Sequence, residues 1–388
     1  MANGDGLINR LPRVAAMGNL GRISVIIPVY GEAYRLGELL NRLLDDPYPD
    51  KEVLVAADEP SREVLETLQQ MSHRIKYTVS GERRGKVRAV EELIESSSGE
   101  ILLFLDADVA LPGDSHNFLA VVAEEIKKAD IIDIKKVIIR DSFLAKLEYF
   151  EYLGFNVVNW LFSRYVKRCL AINGAAFAIT RDALRSLGGF RRVISEDLDL
   201  ATRSFLKGMA FRFVDDVSVE VKVTSSWRRW YAQRKRWSVG ASLWIKEYYR
   251  PLLRSLLDHP KILIPSLVFA FPSLTVFLVN LFVLDNPYYK YIAVAVFLLA
   301  MKFTSLSLPL SIILTSFPLL GQSIMVMALF SSFSLLNLMF ARKLRCRFSL
   351  PHFFAYFFFY SPLWLAIMAT NLMRVVVMKN RIEVDWKT

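Results

Sequence analysis

The sequence predicts a mostly parallel, Rossmann-like α/β domain, followed by amphipathic helices at a membrane surface and a small helical transmembrane domain. Three observations predict it. Short apolar runs of strand length alternate with amphipathic helical patterns up to about residue 260. Those runs end in polar residues suited to one sheet edge. Beyond that point long uncharged stretches dominate, and charges are confined to short connectors.

The run Ile23-Ser24-Val25-Ile26-Ile27-Pro28 is a buried-strand pattern closed by Val29-Tyr30-Gly31-Glu32, after which Leu36, Leu39, Leu40, Leu43 and Leu44 share one helical face. Residues 52–57 form a second strand delivering Asp58-Glu59-Pro60. A helix follows, then a third strand over 75–79, and Gly85-Lys86 opens a helix running towards 96–98. Gly99 reads as the stop of that helix. The run from Ile101 to Leu105 then delivers Asp106-Ala107-Asp108. Side chains alternate along a strand, so the two carboxylates project to the same side. They repel unless a cation sits between them, and a hard divalent ion carrying substrate phosphates is the usual solution. Ligands of parallel α/β sheets bind at strand C-termini, so Tyr30, Glu32, Asp58, Asp106 and Asp108 outline a nucleotide pocket.

Residues 143–168 admit two readings. Phe143, Leu147, Phe150, Val158 and Leu161 form one stripe, with Lys146, Glu148 and Glu151 off it and Arg164, Lys167 and Arg168 following. A helix lying in the membrane plane and an ordinary core-facing helix both produce that pattern. Over 225–249, Trp227, Trp230, Trp237 and Trp244 interleave with Arg228, Arg229, Arg234, Lys235 and Arg236, a membrane-interface signature. The same mixture suits single-stranded nucleic acid, but these basic residues mass at the bilayer boundary, so no nucleic-acid partner is expected.

Residues 262–284 carry no charge between them, and at about 1.5 Å rise per residue a helix there crosses a hydrocarbon core. Further candidates lie within 291–316, 318–340 and 353–378, interrupted by Lys302 and Arg374. Arg342, Lys343, Arg345 and Arg347 belong on the cytoplasmic side, which favours three crossings, while length alone permits four. The N-terminus has no apolar leader, so the soluble domain is expected in the cytoplasm, tethered to the cell membrane by a multi-pass anchor. A net charge of +11 calls for an anionic partner: phosphates, membrane lipids or nucleic acid. Cys169 and Cys346 make no zinc or disulfide pattern, and the scattered histidines make no metal cluster.

One ordered set of motifs carries a family resemblance. It comprises S-V-I-I-P-V-Y-G-E at 24–32, D-E-P at 58–60, R-G-K at 84–86, F-L-D-A-D-V at 104–109, N-G-A-A-F-A-I-T-R at 173–181, G-G-F at 188–190, S-E-D-L-D-L at 195–200 and Q-R-K-R-W at 233–237. Together these resemble the family 2 inverting glycosyltransferases of GT-A fold, in the membrane-bound branch that includes cellulose-synthase-like and dolichyl-phosphate-linked glycan mannosyltransferase types. The resemblance implies a nucleotide site at Pro28, Tyr30, Glu32, Asp58, Lys86 and Asp106, with Mn²⁺ or Mg²⁺ held by Asp108 and Asp106. It implies Asp197 as general base, Arg236 as a second cation on the diphosphate, and Gln233, Trp237 and Gly174 at the donor and acceptor site. Glu196 and Asp199 do not occupy the family's base position. Ala175-Ala176 stands where the family often has Cys or a polar residue, and the membrane part is shorter than in processive synthases.

The implied organisation is an N-terminal segment over 1–22, a catalytic domain over 23–225, an interfacial region over 226–260 and a transmembrane domain over 261–388. The implied reaction moves one hexose from a nucleotide sugar, GDP-mannose ahead of UDP-glucose, to dolichyl or polyprenyl phosphate or a dolichyl-linked glycan, in N-glycan or other lipid-linked glycan biosynthesis. A processive polysaccharide synthase of the cellulose or hyaluronan type is the second enzymatic reading. A nucleotide-sugar-binding membrane scaffold is the reading without turnover.

Overall fold

The computed structural model describes residues 21–113, 117–258, 260, 272–279, 294, 295, 298 and 304–377. Most of the expected 1–22 segment, most of the expected crossing at 262–284 and much of that within 291–316 lie outside the described residues. The chain divides into two compact units, one running up to Ser266 and resuming at Ile367, the other Leu267–Ala366.

The first unit is built on an eight-stranded sheet. In chain order its elements are β1 Ile23–Tyr30, α1 Leu36–Asp45, β2 Lys51–Asp58, α2 Arg62–Gln70, β3 Lys76–Ser80, α3 Lys86–Ser96, β4 Ile101–Leu105, β5 Val109–Ala110, α4 Phe118–Ile126, β6 Ile131–Ile138, α5 Phe143–Leu161, β7 Ala176–Thr180, α6 Arg181–Leu187, α7 Glu196–Lys207, β8 Phe211–Val221 and α8 Trp227–Asp258. The strand order is β3-β2-β1-β4-β7-β6-β8-β5. From β3 to β4 neighbours run parallel, and β6 is parallel to β8, while β7 lies antiparallel to both β4 and β6. Val25, Ile26 and Ile27 of β1 and Leu102 and Leu103 of β4 are fully buried. Such unbroken apolar runs mark strands covered on both faces. The register places Tyr30 opposite Asp58 and Asp58 opposite Ser80, so the strand ends align at one edge.

Two local expectations change. Gly99 does not stop α3, which is capped two residues earlier where the Ser97 amide donates to the Ile94 carbonyl at 3.3 Å. Gly99 instead lies against β1: a Cβ there would stand 2.7 Å from both Arg22 O and Ser24 N, too close for any side chain. The helix weighed as in-plane or core-facing, α5, is enclosed by protein over most of its length. Leu144, Leu147, Phe150, Leu153 and Val157 are buried, and so are Glu148 and Glu151, although both lie off the apolar stripe. Their burial is compensated by Arg234 of α8.

α8 forms one continuous helix packed into the first unit. Its buried stripe is Trp230, Arg234, Ser238 and Ser242, while Trp227, Arg228, Arg229, Tyr231, Lys235 and Arg236 are exposed.

In the second unit, the expected stretches within 291–316 and 318–340 meet in one helix, Thr304–Lys343, ending on Arg342 and Lys343. Phe330 and Phe333 pack with Phe353 and Phe357 of the next helical segment. Among the described residues, Gln322–Lys343 and Leu350–Val375 are long and apolar enough to cross a membrane by length and composition.

Candidate active site

Five of the sequence-expected residues, Pro28, Lys86, Asp106, Gly174 and Asp197, come together where β1 and β4 end. Gly85, with φ of +92°, turns the chain after β3 so that Lys86 becomes the first residue of α3. That turn is held by Asp58: its Oδ2 accepts from the Arg84 and Gly85 amides at 2.8 and 3.0 Å, and its Oδ1 from Arg84 Nε at 2.8 Å. Asp58 is therefore buried and engaged with the loop that presents Lys86.

Lys86 Nζ stands 2.9 Å from Asp106 Oδ1 and 3.3 Å from Glu196 Oε1. Burial opposes its charge, but Asp106, Glu196 and Asp197 outweigh that and hold its pKa above the usual lysine range. Asp197 sits in the first turn of α7, and its Oδ2 accepts from the Gly174 amide at 2.8 Å. A Cβ at position 174 would lie 3.0 Å from that same oxygen and 3.4 Å from Lys86 Nζ, so glycine is what lets the backbone approach. The turn is braced on both sides, with the Asp106 amide donating to Ala175 O and the Ala175 amide to Asn173 Oδ1, each at 3.0 Å. Pro28, Lys86, Asp106, Gly174, Glu196 and Asp197 line one pocket, with Phe104, Phe177 and Phe190 as its apolar wall. Phe104 stacks on Phe177 and meets Phe190 edge-on.

Asp108 follows in an exposed turn between β4 and β5. Crowding by protein and then the charge of Asp106 push its carboxyl upward. Among the described residues no group of three or more His, Cys, Asp or Glu is gathered to hold a metal. One or two carboxylates do fit an ion that brings its remaining oxygen ligands with a diphosphate, and the repulsion between Asp106 and Asp108 is what a cation would relieve.

Other expected residues stand apart from this pocket. Tyr30 is 53% exposed, with the Arg83 guanidinium 4.2 Å above its ring, and Glu32 accepts from the Tyr34 hydroxyl. Gln233, Arg236 and Trp237 lie on α8 and are not among the pocket-lining residues. Gly240, one turn on, lets α8 close onto Ser195, where a Cβ would collide with the Ser195 hydroxyl. Glu196 is the pocket residue that motif reasoning had set aside; its burial and its contact with Lys86 appear only once α7 is in place.

Residues 24–185 match the family model described as Glycosyl transferase family 2. The pocket lies where the parallel strands β1 and β4 end, the edge at which α/β sheets bind their ligands. A poly-beta-1,6-N-acetyl-D-glucosamine synthase of Staphylococcus epidermidis is 23% identical over 232 residues, covering 56% of this chain and 54% of that protein. A probable glucomannan 4-beta-mannosyltransferase of Oryza sativa subsp. japonica is 26% identical over 268 residues, covering 62% and 44% respectively. The chain thus spans about half the length of the curated relatives it matches. A mannosyltransferase from Pyrobaculum calidifontis, solved with GDP-Man and Mn²⁺, superposes with a TM-score of 0.49 at 19% identity, covering 78% of this chain and 86% of that one. At that similarity its ligands remain its own.

Proposed function

We propose that this glycosyltransferase domain moves a single hexose from a nucleotide sugar to a lipid-linked acceptor, with inversion at the anomeric carbon. One observation carries the reading: Lys86 gathers Asp106 and Glu196 beside Asp197, whose carboxylate is aimed by the Gly174 amide. A lysine in the first turn of a helix, where the backbone amides have no acceptor within the helix, suits a diphosphate. Asp106 and Glu196 hold its ammonium in place before the donor arrives. Preorganised positive charge of this kind is often the largest catalytic contribution, with single donors worth about 3 kcal/mol.

As the glycosidic bond breaks, charge collects on the departing diphosphate, and Lys86 is placed to meet it. A divalent cation held by Asp108 and Asp106 would supply further Lewis-acid stabilisation of that leaving group. Asp197 is the base. A sugar hydroxyl is a poor nucleophile, and a carboxylate that takes its proton contributes about a hundredfold or more. A phosphate acceptor is already ionised and needs that help less. Arg236 is exposed on α8, and its guanidinium suits phosphate in a bidentate fork, either of the donor or of a lipid headgroup.

The exposed tryptophan and basic face of α8 and the apolar helices beyond it support an acceptor with a dolichyl or polyprenyl tail and a place at the cell membrane, with the catalytic domain on the cytoplasmic side. The likeness to a glucomannan mannosyltransferase favours GDP-mannose over UDP-glucose. The likeness to a polymer synthase favours a second reading, processive polysaccharide synthesis, which would yield a ladder of products where the first reading yields one addition.

The test is transfer from GDP-mannose and UDP-glucose to dolichyl phosphate and to a dolichyl-linked glycan, with and without Mn²⁺, for wild type and Asp197→Asn. We expect the variant to lose nearly all transfer to a hydroxyl acceptor while still being stabilised thermally by its nucleotide. Hydroxyl transfer at wild-type rates by Asp197→Asn would remove the base from the scheme.

A further inference from the structure

The Q-R-K-R-W run places its two arginines in opposite environments. Arg236 is exposed, whereas Arg234 is completely buried at 0% exposure. Its guanidinium reaches two carboxylates of α5: Nη1 lies 2.8 Å from Glu151 Oε1, and Nη2 lies 3.2 Å from Glu148 Oε1. Both glutamates are themselves buried, at 4% and 1% exposure. The same guanidinium covers the Trp237 ring at 4.3 Å from its centroid and approaches Trp230 at 5.7 Å. Cation–π contact with a desolvated guanidinium fixes the orientation of a ring as well as its distance.

Buried ionic clusters are poor sources of stability, because apolar side chains of equal volume often do as well or better. What such a cluster supplies is a fixed geometry. Glu148, Glu151 and Tyr152 fall at i, i+3 and i+4 on α5, one helical face. Tyr152 hydrogen-bonds with the Asn173 side chain, which caps the turn that aims Gly174 at Asp197. That face therefore touches α8 through Arg234 and the Asp197 turn through Asn173. Further along, α8 is pinned to α7 itself: Trp244 Nε1 donates to Thr202 Oγ1 at 2.8 Å and the Tyr248 hydroxyl to Asp199 Oδ1 at 2.7 Å.

We propose that Arg234 is a positioning residue: clamped by Glu148 and Glu151, it holds the face of α5 whose Tyr152 meets Asn173, and so sets the turn from which Gly174 aims Asp197 at an acceptor. The inference rests on the transferase reading above, with Asp197 as the base. Arg234, Glu148, Glu151 and Trp237 do not line the pocket around Lys86, so the clamp has no direct contact with a donor bound there.

Two variants test it. Arg234→Lys keeps the charge and loses the planar fork and ring contact. The triple variant Arg234→Met, Glu148→Gln, Glu151→Gln removes the ionic cluster while leaving no unpaired charge. Each is assayed for melting temperature, for stabilisation by GDP and UDP with Mn²⁺, and for hexose transfer to dolichyl phosphate and a dolichyl-linked glycan. We expect donor KM to stay within about threefold and acceptor kcat/KM to fall at least about tenfold, the signature of misplacement rather than of lost binding energy. Wild-type acceptor kinetics in either variant that melts like wild type overturns the proposal. So does failure of both variants to fold, which would make the cluster purely structural. Absence of any transfer by the wild-type protein sinks the transferase reading itself, and is distinguishable because it precedes the comparison.

Discussion

Gly174 shows how narrow the site's tolerances are. Its amide donates to Asp197 at 2.8 Å, and an added methyl would stand 3.0 Å from the same oxygen. Gly174→Ala must push Asp197 or its own turn aside, and a shift of about 1 Å at a reacting group can cost about a hundredfold. We expect kcat to drop by one to two orders of magnitude, with the melting temperature within a few degrees of wild type and nucleotide stabilisation retained. Full activity in Gly174→Ala would show that the Asp197 hydrogen bond is incidental. Asp58 teaches a related lesson. The motif pattern assigns it to the nucleotide, and the structure has it holding the Arg84–Gly85 turn, so any contribution to donor binding passes through the placement of Lys86 as well.

Elements are stitched together by buried polar groups as much as by apolar contact. Glu52 at the start of β2 accepts from Ser24 Oγ of β1 at 2.7 Å, from Lys76 Nζ of β3 at 2.8 Å, and from the Ser98 amide and hydroxyl before β4 at 2.6 and 2.9 Å. Burial alone would raise its carboxyl, but Lys76, Ser98 and Ser24 together bring it down to about 2. A folded-state value below the unfolded one means stability that is fully present above pH about 4.5 and lost as pH falls towards 2. Glu52→Gln should therefore cost about 1–2 kcal/mol at pH 7, allowing for solvent screening of Lys76, and its deficit should shrink to near zero by about pH 2. Denaturant melts across that range measure it; a deficit independent of pH would contradict the assignment.

At the scale of the whole molecule, Gln322–Lys343 and Leu350–Val375 have the length and composition of membrane spans. Either helix would expose a large apolar surface to water, which a bilayer removes. The expected outcome is that the protein stays in the membrane pellet through high-salt and alkaline carbonate washes and is released by detergent. Release by salt alone would mean attachment through the basic face of α8 only, since salt screens charge and leaves apolar burial intact.

Much of this was legible in the residues before any coordinates. Strand and helix alternation over 23–221, polar groups at Tyr30, Asp58 and Asp106 on the strand ends, and the amphipathic mix in α8 are local patterns, set by side-chain periodicity over a few residues. Three features were beyond that reach. Gly99 had to be glycine because of β1, a strand about 75 residues away in the chain. Glu148 and Glu151 lie off the apolar stripe, and nothing in α5 announces the arginine on α8 that satisfies them once buried. Glu196 joined the pocket only when α7 was docked against Lys86. By itself the sequence determined which elements form and which chemistry arrives at their ends, because those depend on neighbours along the chain. Only the tertiary structure decided which charges meet, because burial and pairing of a side chain depend on partners that folding alone brings within reach.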